Sequence, residues 1–201
     1  MKEFFQKATK GNRPVIITGV IYTFAWLLIV LSAWAIDLHR YDLGRTISAY
    51  IAFRKWTAVF YFFCATIMFL FLVTYVFKTS MPLIKKIVYY VVFLSVWGCS
   101  IFPSNKEWSV FLTGIHLKCS YGLMFSASFS FLLTSLLAKR KGQRIFAIAT
   151  FVYALCFMFA LLVMKWEWFE GTIFVWESLC IYLLLVELFL ETPRSSKAQV
   201  K

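Results

Sequence analysis

The stretch "TGIHLKCSYG", residues 113–122, places a histidine and a lysine two residues apart inside an apolar run, and Glu177 interrupts the last apolar run of the chain. A histidine beside a carboxylate can pass a proton as general acid and base, and a lysine can hold an anionic head group. An ionisable group in hydrocarbon costs several kcal/mol unless it is paired, neutral or hydrated. His116, Lys118 and Glu177 are therefore candidate ligand-binding residues of an intramembrane pocket.

Two residues along a helix correspond to about 200° of rotation, so His116 and Lys118 point to opposite faces. Either can meet Glu177, but not through the same surface. Lys118 heads a stripe with Gly122, Ser126, Ser130 and Thr134 at four-residue spacing. Small residues so spaced let a neighbouring helix approach closely, which makes Gly122, Ser126 and Ser130 candidate helix-packing positions. His116 shares its face with Cys119 and Ser120. A plainer alternative stays open: residues 119–138 suffice for one crossing, which would leave His116 and Lys118 at the outer interface, reaching water and head groups.

Catalytic templates are missing. The chain has 2 histidines, and it contains no HExxH, GxSxG, GxGxxG or phosphate-loop motif. No catalytic residue, metal site or cofactor is expected, and enzymatic activity has no motif in its favour.

The elements that must position these residues follow from composition. Of 201 residues, 62% are hydrophobic and 15% charged, and the mean hydropathy is +0.78. The expected fold class is all-α: a polytopic membrane protein, a bundle of six transmembrane helices. The apolar blocks run 14–36, 56–77, 82–102, 108–138, 145–164 and 171–191, flanked by basic tails at 1–13 and 192–201. Pro103 and Pro193 stop the third and sixth helices. Lys85 and Lys86 are expected to snorkel to the near interface. Glu187 and Glu191 are expected near the same end, opposite Lys139, Arg140 or Lys85. Trp166, Trp168 and Trp176 read as an outer aromatic belt.

Lysine and arginine give the direction. One side carries Lys2, Lys7, Lys10, Arg13, Lys78, Lys85, Lys86, Lys139, Arg140, Lys141, Arg144, Arg194, Lys197 and Lys201. The other carries only Arg40, Arg45, Arg54, Lys55, Lys106 and Lys165. The positive-inside rule then puts both termini in the cytoplasm, and an even number of spans requires them on one side. The expected membrane is a cytoplasmic (inner) or plasma membrane. The first block is longer than a signal-peptide core, so it is expected to remain as a span.

The net charge of +12 sits in short loops rather than on one basic face, which excludes nucleic acid as the partner. The five cysteines lie in apolar segments with no CxxC spacing. Cys99 and Cys119 fall toward the outer ends of adjacent helices, which leaves a disulfide between them open. The longest loop, 37–55, is outside and polar; its Arg40, Arg45 and Tyr50 would roof the pocket.

The motifs "TISAY" (46–50), "GCSIFPSN" (98–105) and "IH" (115–116) together resemble the six-span Frag/DRAM/Sfk-type superfamily, especially its bacterial branch, domain of unknown function family 998. In that branch the third span resembles "G…FP", followed by a short polar loop and a histidine early in the next span. The chain departs from the pattern at Lys118 and in "SNKEW". The resemblance covers nearly the whole chain and implies lipid-linked biology. The expected function is binding or handling of a membrane lipid or other amphiphile in an outward-facing pocket. Two alternatives remain: a small proton-coupled transporter using Glu177, and a structural subunit whose small-residue stripe packs on a second copy or on a partner membrane protein.

Overall fold

The computed structural model describes residues 12–37, 47–52, 54–79, 81–102, 104, 109–163 and 173–191. Among these the chain is all-helical: α1 Arg13–Asp37, α2 Ile47–Ile51, α3 Lys55–Lys78, α4 Leu83–Ile101, α5 Val110–Leu137, α6 Lys141–Val163 and α7 Ile173–Leu190. Five of them, α1, α3, α4, α5 and α6, are long and apolar enough to cross a membrane, and between 22% and 39% of each apolar segment is buried in protein. The rest of each faces outward, with Val20, Phe24, Leu31, Phe63, Leu70 and Phe125 among the exposed side chains. A surface of that kind needs lipid as its solvent. The chain is an integral membrane protein.

The long helices pack in chain order, α1 on α3, α3 on α4, α4 on α5, α5 on α6 and α6 on α7, and α7 closes the ring by packing on α1. The short α2 lies across one end and touches α1, α3, α4 and α7. Hydroxyl residues survive in the apolar helices by donating to the preceding turn, as Thr18 Oγ1–H does to Pro14 O at 2.8 Å and Thr66 Oγ1–H to Phe62 O at 2.8 Å. The tightest helix contact is between α4 and α5. A Cβ on Gly98 would come within 2.6 Å of Cys119 Sγ, and one on Gly122 within 3.1 Å of Ser95 Oγ. Glycine at both positions lets the two backbones approach.

Lys85 corrects one expectation. It does not snorkel outward: it is 2% exposed and turned into the bundle. Its neighbour Lys86 stays near the surface, where Nζ donates to Phe77 O at 3.1 Å. The five cysteines are all free, so Cys99 and Cys119 are not bonded to each other.

Candidate functional site

The site begins where α4 stops. The carbonyl of Cys99 would take the N–H of residue 103 if the helix continued, but residue 103 is proline and has no N–H to give. The last carbonyls of a helix need other donors. His116 supplies one, because its Nδ1–H lies between Phe102 O at 2.6 Å and Cys99 O at 3.1 Å. Both acceptors are carbonyls, so the shared proton must belong to Nδ1. His116 reaches them because Ser109 caps α5 through Leu112 N–H (3.2 Å) and because Gly98 admits Cys119 against α4. The "G…FP…H" pattern has a physical content here: close approach, an orphaned carbonyl, and the donor that satisfies it.

His116 is 4% exposed and lines a cavity of about 120 Å³. The same cavity is lined by Glu177 of α7, Cys99 and Ser100 of α4 and Ser120 of α5, with Leu123 and Phe157 among its apolar walls. Ser100 Oγ–H donates to Val96 O at 2.9 Å, and Ser120 Oγ–H to His116 O at 3.0 Å. Cys99 Sγ is 3.4 Å from Ser120 Oγ. Below this chamber lies a second cavity of about 50 Å³, walled by Met68, Phe69, Leu72, Val92, Phe93 and Leu184. Tyr61, Val96 and Ile181 line both. A polar-edged chamber thus sits above an apolar one inside the ring.

The structure brings His116 and Glu177 to one cavity and leaves Lys118 out of it. Lys118 is exposed on the opposite side of α5. Its stripe becomes buried only further along: Gly122 and Ser126 are half-buried, and Ser130 and Thr134 are buried. Ser126 donates to Gly122 O at 2.6 Å, within its own helix. Tyr50 is 1% exposed and does not line the chamber; its hydroxyl accepts from Trp34 Nε1–H at 3.0 Å and belongs to the packing of α2 on α1. Arg40, Arg45, Trp166 and Trp168 lie outside the described residues.

A second polar cluster lies at the other end of the ring, where Glu187 and Glu191 were expected opposite Lys139, Arg140 or Lys85; the structure selects Lys85 and adds Ser130, Thr134 and Gln143. Glu187 is 0% exposed, and it accepts from Ser130 Oγ–H at 3.1 Å and from Thr134 Oγ1–H. Lys85 Nζ stands 3.9 Å from Glu187 and 2.5 Å from Glu191. Gln143 Nε2–H donates to Glu191 Oε1 at 2.6 Å. The signal was present as two matched pairs at four-residue spacing, Ser130 and Thr134 on one helix, Glu187 and Glu191 on another. Among the described residues no group of three or more His, Cys, Asp or Glu is placed to hold a metal ion.

Fold and site together define a class: an all-helical integral membrane protein with an internal, partly polar cavity. Against known proteins, the chain matches no family model, no curated protein and no solved structure.

Proposed function

We propose that the protein binds an amphiphile of the membrane, with the head in the chamber of His116 and Glu177 and the apolar part directed toward the lower chamber and the seams beside α7. The observation that supports this reading is the stacking of a polar-edged cavity on an apolar one, with Tyr61, Val96 and Ile181 common to both. Such a gradient matches a molecule with two unlike ends. For scale, a dry cavity of about 150 Å³ takes a benzene ring. The chambers therefore suit a head and a short length of chain, and the remaining tail would run between helices into lipid. On this reading the chain is a six-span protein of a bacterial inner membrane or a plasma membrane, with both termini cytoplasmic, related to the Frag/DRAM/Sfk-type superfamily.

Native mass spectrometry of the detergent-purified protein tests it, with wild type beside Glu177→Gln and Ser120→Leu, the latter filling the chamber. A co-purified amphiphile should be retained by wild type and lost from both variants. Equal retention in all three would move the binding site elsewhere.

One observation favours a second reading, proton-coupled transport: one helix carries two carboxylates, Glu177 on the wall of the outer chamber and Glu187 buried in the polar cluster at the other end of the ring. Proton-coupled flux in reconstituted vesicles that vanishes in Glu177→Gln would select it.

A further inference from the structure

Glu187 and Glu191 stand one turn apart on α7 and share one ammonium, Lys85 Nζ, at 3.9 Å and 2.5 Å. Among the described residues no second cation pairs with either carboxyl group. Arg144 is exposed and donates through Nε–H to Ser135 O at 3.0 Å, and Lys86 Nζ donates to Phe77 O. Gln143 of α6, Tyr75 of α3 and Asn12 before α1 complete the surroundings and bring no positive charge. Two carboxylates against one ammonium leave an excess negative charge, and like charges in a desolvated site resist ionising together. Glu187 lies deeper, 0% exposed, while the side chain of Glu191 is 16% exposed and lies closer to Lys85.

The hydroxyls around Glu187 suit it with a proton and without one. Thr134 Oγ1 carries one proton and has two acceptors, Glu187 Oε1 and Ser130 O at 3.0 Å. An ionised Glu187 accepts from Thr134; a protonated one donates to Thr134 Oγ1, whose own proton then turns to Ser130 O. Tyr89 of α4 is 0% exposed, and its hydroxyl faces Glu187 and Ser130 with no hydrogen bond formed among the described residues. By turning about its C–O bond, a phenol donates to a carboxylate or accepts from a carboxylic acid. We propose that this cluster is a proton-binding site: Glu187, with Glu191 and Lys85, takes up one proton from water at the rim beside Glu191 and holds it between Thr134 and Tyr89. Uptake carries the cluster from one negative charge to neutral, and release returns the proton to water. The site is separate from the outer chamber and stands whatever binds there.

Infrared spectroscopy of the full-length protein in detergent tests this through the carbonyl stretch of a protonated carboxyl group. The titration runs from about pH 6 to about pH 9, where an exposed glutamate is ionised throughout. Wild type should show the band at the acid end and lose it toward the alkaline end. Glu177→Gln should keep the band, because Glu177 belongs to the outer chamber. Glu187→Gln should abolish it. Glu191→Gln should abolish it as well, since it removes the competing charge and leaves Lys85 to neutralise Glu187 alone; this variant decides the matter if Glu187→Gln does not fold. No band in wild type, a band lost in Glu177→Gln, or a band that survives Glu187→Gln or Glu191→Gln overturns the proposal.

Discussion

Lys85 of α4 and Glu187 of α7 face each other at 3.9 Å with 2% and 0% of their surfaces exposed, and Glu191, one turn beyond Glu187, closes on the same ammonium at 2.5 Å. The cluster is the centre of a larger clamp. Ser130 and Thr134 bring in α5, and Gln143 brings in α6. Tyr75 of α3 donates to Asn12 Oδ1 at 2.6 Å, and Asn12, just before α1, donates to Phe189 O of α7 at 3.0 Å. All six long helices are tied at this end, while the chamber of His116 and Glu177 occupies the other.

Replacing Lys85 by methionine should therefore destabilise the protein severely, by about 3–5 kcal/mol, because it leaves a buried carboxylate without its counter-charge. Adding Glu187→Leu should recover part of that loss, since it removes the fully buried carboxylate, while Glu191, 16% exposed and held by Gln143, stays charged. Thermal unfolding in detergent, followed by intrinsic tryptophan fluorescence, reads both steps. A double variant no more stable than the single one would show that the pair contributes something besides mutual neutralisation.

At the α4–α5 contact, Gly98→Ala should lower stability by about 1–3 kcal/mol, since the new methyl group meets Cys119 Sγ at 2.6 Å. Cys119→Ala in the same chain removes that sulfur and should restore most of the loss, the next atom being 3.4 Å away. Gly122→Ala should cost less, because Ser95 Oγ at 3.1 Å is the end of a side chain that can turn aside. The order of the three melting temperatures checks the packing, and an equal loss at Gly98 and Gly122 would contradict it.

The helical class was legible because apolar runs of about 20 residues leave few other solutions. Facing was harder. The 200° between His116 and Lys118 separates their faces correctly, but periodicity alone does not say which face meets protein. It is His116 that does, because Pro103 leaves Cys99 O in need of a donor. Lys85 was misread for a related reason. A lysine near a helix end snorkels by default, and only the opposing pair Glu187 and Glu191 on a helix distant in sequence turns it inward. Tyr50 sits in a polar loop segment that looked like a roof, yet the Trp34 indole holds it in the core. In each case the deciding partner lay on another helix; Lys85 was among the three cations expected opposite Glu187 and Glu191, and the structure selects it, whereas the partners of His116 and Tyr50 had no local pattern to name them.

Lys118 gives a control for the chamber. Since it is exposed and absent from the cavity wall, Lys118→Leu should leave retention of a co-purified amphiphile within about twofold of wild type, a surface substitution being worth only a few tenths of a kcal/mol. Glu177→Gln should abolish retention. Native mass spectrometry reads both, and loss of the amphiphile in Lys118→Leu would return the head group to the outer face of α5.

The direction of the chain can be checked independently of any ligand. Asn12 and Phe189 are hydrogen-bonded at 3.0 Å, so the chain enters α1 and leaves α7 at the same end of the ring. An even number of crossings follows if α7 spans with the other five. Lys78, Lys139, Arg140, Lys141 and Arg144 lie at that end too, which on the proposed topology is the cytoplasmic one. A green fluorescent protein fused to either terminus should therefore fluoresce in bacterial cells, and alkaline phosphatase fused after residue 201 should be inactive. Active phosphatase at the C-terminus together with a dark N-terminal fusion would invert the bundle, and active phosphatase with a fluorescent N-terminal fusion would mean that α7 does not cross; either would remove Glu177 from an outward-facing chamber.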